Sequence, residues 1–269
     1  AFDHTGREEW RADVGNKLNG WGSATSPVLV GNLVVINASV ESETLDGLDR
    51  KTGKEIWRAL GIKDSWCTPA LVTADNGQQE LVVAVFGKVL AFDPKTGKQL
   101  WSCNTDIGWY MVPSLVTHGD VVYCIGGRNG GGALAVRAGG RGDVTRTHRL
   151  WTLKKGSNVP SPIYHDGHLY WMNDVSGTAF CVEAKTGKVV YEEQVPRADQ
   201  VYASPVLAGG NLYYVTRTGK GIVLAAKPAF EVVATNDLGR SGTFNASPAV
   251  ADGKLYLRSD RFLFCIGPK

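Results

Sequence analysis

The sequence predicts an all-β fold, a β-propeller of four-stranded antiparallel blades, on three observations. A Pro opens each unit, at Pro27, Pro69, Pro113, Pro162, Pro205 and Pro248, and successive prolines lie 42, 44, 49, 43 and 43 residues apart. The stretch KVLAFDPKTGKQLW, residues 88–101, recurs in variant form as AFDHTGREEW from Ala1, LDRKTGKEIW from Leu48 and CVEAKTGKVVY from Cys181. Apolar residues alternate over short runs and nowhere follow a helical period, so each unit reads as four short strands separated by turns. A period of this length is that of propeller blades.

Within a unit, a few apolar residues after the Pro lead to a tight turn at Gly31, Gly119, Gly167, Gly210 or Gly253. An alternating second strand follows, as at residues 212–216 or 255–258, then a third strand, the KTGK turn and a fourth strand ending on an aromatic ring. Six repeats are expected at residues 24–60, 66–104, 111–154, 159–195, 202–237 and 245–267, in one propeller domain over residues 1–269. The last repeat stops after its third strand, and residues 8–14 are expected to supply the fourth. Such closure removes exposed sheet edges. Residues 1–5 would then duplicate a strand already supplied by the C-terminus, so either they hang loose or further blades preceded Ala1 in a longer parent.

The KTGK turn has a physical logic. The Asp93 carboxylate can accept hydrogen bonds from the backbone amides of the turn, and Gly97 can take the positive φ that a compact loop needs. Trp10, Trp57, Trp101, Trp151 and Tyr191 stand at one position of the outer strand, where a flat ring can cover the seam between neighbouring blades. A ring repeated in every unit is a blade-docking residue, because a binding site does not need the same side chain all the way round. Two units depart from the pattern: RAGGRGDVTRTHR replaces the third turn, at residues 137–149, and AAKPAFEV the fifth, at residues 225–232.

Composition narrows the function classes. A net charge of +3 is too small to favour a nucleic-acid partner. The charge is unevenly placed: between Gly126 and Lys155 seven basic residues stand against Asp143, a local +6, which leaves the rest at −3. No run is long and apolar enough to span a bilayer, so direct membrane insertion is not expected. The N-terminus carries no basic segment with an apolar signal core, and Ala1 begins inside a repeat. The expectation is therefore a processed or truncated form of a longer chain. Five cysteines, none adjacent to another and none in a CxxC pair, do not make a disulfide framework; Cys181 and Cys265 occupy equivalent strand positions where buried thiols fit.

The unit AFDPKTGKQLW resembles the tryptophan-docking repeat of pyrroloquinoline-quinone-type β-propellers, and such repeats cover essentially the whole chain. The resemblance implies a family shared by quinoprotein alcohol dehydrogenases, the outer-membrane assembly propeller of bacterial envelopes, and many secreted propellers of unassigned role. It also implies a parent of seven or eight blades and a periplasmic or secreted location. Quinoprotein dehydrogenases of this fold carry an adjacent cysteine pair, a catalytic Asp and calcium ligands. The cysteine pair is missing here, so no quinone cofactor and no catalytic residue is assigned.

Three other candidates are weaker than their structural counterparts. His165 and His168 in YHDGHLY have ligand-like spacing but sit in a first-to-second-strand turn, where side chains face solvent, so no metal site is assigned. The glycine cluster at residues 126–132 opens onto the strand ALAVRA rather than a helix, so it reads as a hairpin tip and not a phosphate loop. Arg128, Arg141 and Arg146 can each serve as partner contacts but stand on loops at opposite faces of one blade.

The residues preceding each Pro are the more informative set. There the chain enters the innermost strand, so Trp21, Trp66, Trp109, Tyr110, Asn158, Tyr202, Phe244 and Asn245 are expected to rim a central channel or pack between blades. Aromatic and amide side chains converging at a channel mouth would recognise a protein, peptide or glycan. The expected function is a non-catalytic binding or scaffold propeller of the bacterial envelope or cell surface. The alternative is a quinoprotein-type oxidoreductase or another enzyme with its site in the channel.

Overall fold

The computed structural model describes residues 1–128, 131–239 and 242–268. The chain is all-β, with 24 short strands and no helix among the described residues. The first sheet holds β1 (Val28–Val30), β2 (Leu33–Ala38), β3 (Thr44–Asp49) and β4 (Glu55–Leu60) in sequential order. The second holds β5 (Ala70–Thr73), β6 (Gln79–Val85), β7 (Lys88–Phe92) and β8 (Gln99–Asn104), the third β9 (Val116–His118), β10 (Val121–Gly126) and β11 (Gly132–Arg137). In the replaced third turn a short β12 (Gly142–Asp143) adds in parallel to β8, and β13 (Arg149–Leu153) then completes the third sheet.

The fourth sheet comprises β14 (Ile163–His165), β15 (His168–Met172), β16 (Thr178–Glu183) and β17 (Val189–Gln194). The fifth comprises β18 (Val206–Ala208), β19 (Asn211–Val215), β20 (Lys220–Ala225) and β21 (Val232–Asp237). The sixth has three strands, β22 (Ala249–Ala251), β23 (Lys254–Arg258) and β24 (Leu263–Ile266). Residues 8–14 differ from the expectation of a closing strand: Glu8 bridges antiparallel to Phe2 within its own hairpin, and no strand covers residues 9–14. A local reason is visible. The Asp3 carboxylate accepts from the amides of Thr5 and Arg7, which folds the segment back on itself.

The described chain divides into two compact units, Ala1–Gly127 with Ala133–Leu150 and Arg128–Gly132 with Trp151–Lys269. The first packs a core around Val35, Leu45, Leu81, Val89, Trp101 and Met111. The second has one cluster around Tyr170, Met172, Leu212 and Tyr214, and another of Ala203, Val215, Phe244 and Leu257.

Three outer seams follow one rule, those of Trp10, Trp57 and Trp151. Asp93 Oδ1 accepts from the amides of Lys95 and Thr96 at 2.8 and 3.1 Å, and Gly97 takes φ +67°, so the turn presents a bare Cα outward. Onto that Cα lies the ring of Trp57 from the preceding blade: a Cβ on Gly97 would stand 2.4 Å from Trp57 Cε3. The indole also donates to the Pro94 carbonyl at 3.2 Å. Trp10 covers Gly53 and donates to Arg50 O at 3.0 Å; in the second unit Trp151 covers Gly187 and donates to Ala184 O at 2.9 Å. Glycine is thus needed twice over, for its dihedral angle and for the ring above it. Where the fifth turn loses glycine, Tyr191 meets Phe230 edge-on instead, at 5.6 Å.

The inner edges are stitched differently. Pro removes a backbone donor and holds the residue before it extended. That residue carries a hydroxyl at Ser26, Thr68, Ser161, Ser204 and Ser247, and its amide donates to a hydroxyl oxygen beside the Pro of the next repeat. In the first unit Ser26 N donates to Thr68 Oγ1 at 3.0 Å and Thr68 N to Ser114 Oγ at 3.2 Å. In the second unit Ser161 N donates to Ser204 Oγ at 2.9 Å and Ser204 N to Ser247 Oγ at 3.0 Å.

Candidate functional site

The segments leading into each first strand are positioned by backbone bonds to the neighbouring blade. In the first unit Trp66 N donates to Met111 O at 2.7 Å and Met111 N to Asp64 O at 2.9 Å, the parallel bridge between Ser65 and Met111. This register brings three of the sequence-predicted aromatics together: Trp66 meets Tyr110 edge-on at 5.4 Å, and Tyr110 meets Trp109 at 5.0 Å. Trp66 is only 8% exposed and its indole donates to Gly22 O at 2.7 Å, so it anchors the segment that carries Trp21. Trp21 itself is 75% exposed.

In the second unit the structure gathers Tyr202 and Asn245 around a residue that the sequence reading missed, Arg217. Its guanidinium carbon lies 4.4 Å from the centroid of the half-buried Tyr202 ring. Nε donates to Asn245 Oδ1 at 3.1 Å and Nη1 to Gln200 Oε1 at 3.0 Å. Backbone bonds hold the same junction: Arg217 N donates to Gln200 O at 2.8 Å, and Phe244 N to Arg217 O at 3.1 Å.

A signal for Arg217 does exist in the sequence, in the loop after the second strand. Asp174, Arg217 and Asp260 are 43 residues apart, as their prolines are, so they occupy one position of three successive repeats. Asp174 Oδ1 accepts from the amide of Asn158 at 2.9 Å, and Asp260 Oδ1 from the amide of Thr243 at 2.8 Å. Both carboxylates cap the backbone of their own lead-in segment. Arg217 inverts the sign and takes side-chain oxygens instead.

The remaining predicted residues have other places. Phe244 is fully buried, packed tilted against Phe264 at 5.7 Å, and Asn158 is 6% exposed beside Asp174, so neither side chain, nor that of Trp66, forms an open surface. Arg141 is exposed but reaches a buried partner: Nη1 donates to Glu80 Oε1 at 3.0 Å and Nη2 to Gln78 Oε1 at 3.1 Å. Glu80 is wholly buried, and its other oxygen accepts from Trp101 Nε1 at 2.6 Å and Gly139 N at 3.1 Å. A buried carboxylate demands such partners, and Arg141 fastens it while half of its own side chain stays exposed. Arg146 is exposed in the first unit, and Arg128 is exposed in the second. Within the glycine cluster, Asn129 and Gly130 lie outside the described residues.

His165 and His168 end β14 and begin β15, paired across the Asp166–Gly167 turn, and His168 Nδ1 lies 2.8 Å from Asp166 O. Among the described residues no group of three or more His, Cys, Asp or Glu is placed to hold a metal ion. All five thiols are free; burial pushes those of Cys67, Cys103 and Cys181 up to about 11 and that of Cys124 well above its ordinary value. The residues present therefore do not fit a quinone held against a cysteine pair. No helix of the described residues is long and apolar enough to cross a membrane.

A family model described as outer membrane protein assembly factor BamB matches residues 1–193. No curated protein matches the chain. Among solved structures the chain is similar to BamB from Moraxella catarrhalis, at 15% identity and a TM-score of 0.69, over 95% of this chain and 73% of that one. It is similar to the quinohemoprotein alcohol dehydrogenase of Comamonas testosteroni, at 14% identity and 0.66, over 90% of this chain and 52% of that one. The quinohemoprotein alcohol dehydrogenase ADHIIG of Pseudomonas putida HK5 follows at 16% and 0.61, over 86% and 43%. At these identities the likeness is one of fold, and the chain spans about half or less of the two dehydrogenases.

Proposed function

The chain belongs to the family described as outer membrane protein assembly factor BamB, and on that premise we propose that it is a non-catalytic binding propeller of the bacterial envelope or cell surface. Its partner is a protein or peptide, with glycan as the other class its aromatic and amide groups suit. The observation that carries this reading is the contrast between repeated and unrepeated positions. The repeated rings and turns are committed to seams, whereas the lead-in segments and the loops against them carry groups that differ from blade to blade: exposed Trp21 in one unit, and the Tyr202, Arg217 and Asn245 cluster in the other. Exposed aromatic and arginine side chains are the residue types that dominate protein recognition.

The test is photo-crosslinking in the source organism, with a benzophenone amino acid in place of Trp21 or of the exposed Phe262, which stands in the loop after β23. One or more discrete adducts with envelope proteins are expected. Incubation with pyrroloquinoline quinone and Ca²⁺ is the opposing arm: a bound chromophore with alcohol or sugar turnover would overturn the reading in favour of an oxidoreductase.

A further inference from the structure

We propose that Arg217, held by Tyr202, Gln200 and Asn245, is a recognition site for a carboxylate of the bound partner, either a chain terminus or an acidic side chain. This rests on the binding reading above and names the chemistry by which it works.

The guanidinium carries five N–H donors and uses two of them, both on neutral amide oxygens. No carboxylate lies within ion-pair distance of it among the described residues. Its neighbours at the same repeat position, Asp174 and Asp260, satisfy backbone amides, so the sign change at 217 leaves a guanidinium with no ion pair of its own among the described residues. The charge is also fixed in place. The stack on Tyr202 and the two amide bonds define the plane of the fork, and a preorganised planar fork loses little freedom when it takes a carboxylate in bidentate fashion.

The surroundings favour a single negative charge over a doubly charged phosphate. Asp199, next to Gln200, has its carboxylate in the loop with Arg217: Oδ2 accepts from the hydroxyl of Thr218, and Oδ1 is buried without a hydrogen-bond partner. Lys220 Nζ is committed to Arg197 O at 3.0 Å. One guanidinium, with the Asp199 carboxylate held on the adjacent Thr218, suits a monoanion better than a dianion.

The test follows the side-chain Nε–H signal of Arg217 by NMR in the ¹⁵N-labelled full chain, assigned by its loss in Arg217→Lys. Titration with N-acetylglycine should move that signal saturably, with a dissociation constant on the order of 10 mM for so small a probe. N-acetylglycinamide should leave it in place, and inorganic phosphate should bind no more tightly than N-acetylglycine. Tyr202→Ala should weaken the response about threefold while leaving the rest of the spectrum folded. A signal unmoved by N-acetylglycine, moved equally by the amide, or bound more tightly by phosphate overturns the proposal. The two readings fail separately. An Arg217→Gln chain that still gives the wild-type adduct through the benzophenone at position 262 removes the carboxylate contact and keeps the partner. Saturable N-acetylglycine binding by a chain that yields no adduct removes the partner and keeps the site.

Discussion

The second and third seams of the first unit place a tryptophan at the same register of the fourth strand and secure it by different means. Trp57 stands opposite Gly47 in its own sheet, lies flat on Gly97 of the next turn and donates to a carbonyl. Trp101 stands opposite Ala91 and donates to the buried carboxylate of Glu80, which Gly139 and Arg141 also bind. The KTGK turn that Trp57 uses is absent from the third repeat. A charged staple occupies its place. One seam is therefore a matter of shape, and the other depends on a charge that only its partners keep tolerable.

Substitutions can break this comparison in order of effect. Trp101→Ala should be the most damaging, at about 3–5 kcal/mol, since it removes a fully buried ring and one of the partners of Glu80. Trp57→Ala should cost less in the same urea titration; equal losses would mean that the carboxylate contributes nothing. Gly97→Ala should cost ~2–3 kcal/mol, because it adds a clash with the Trp57 ring to backbone strain. Gly87, at φ +70° with open space around it, isolates the strain alone, and Gly87→Ala should cost about 1 kcal/mol.

Arg141→Ala should follow at up to about 1 kcal/mol, discounted because half of that side chain is exposed, and its effect should shrink in high salt. A salt-independent loss would place its contribution in packing. His168→Ala belongs to neither seam and should change stability by less than ~0.5 kcal/mol. A thiol reagent gives the final check on packing. Cys265 is exposed and should be modified first, while Cys67, Cys103, Cys124 and Cys181 should react only as the chain unfolds, in an Ellman titration with and without urea.

The fold was largely legible because repetition averages out local ambiguity. The all-β class, the four-strand unit and the rings at Trp10, Trp57 and Trp151 all followed from spacing. The contact of each ring with a glycine Cα did not, because Gly97 already had a sufficient reason in its positive φ. The hydroxyl stitches were visible as Ser or Thr before Pro, yet their partners lie one repeat away and only coordinates pair them. Sequence also marked the lead-in segments without separating inward from outward side chains. Phe244 and Asn245 are adjacent in the chain, and the structure buries one and exposes the other. Arg217 escaped for a different reason: attention to the residues before each Pro passed over the loop after the second strand, where a change of sign mattered more than a motif.

The direction of the seams bears on how the chain acquires its structure. Trp10 closes on a carbonyl 40 residues ahead, Trp57 on one 37 ahead and Trp151 on one 33 ahead. These three rings reach forward along the chain, whereas Trp101 donates back to Glu80, 21 residues behind it. A chain emerging from a ribosome or a secretion pore thus holds its latest tryptophan uncovered until the next turn has followed it out. Each such wait is about one repeat long and leaves one aromatic ring open to any chaperone that attends the chain.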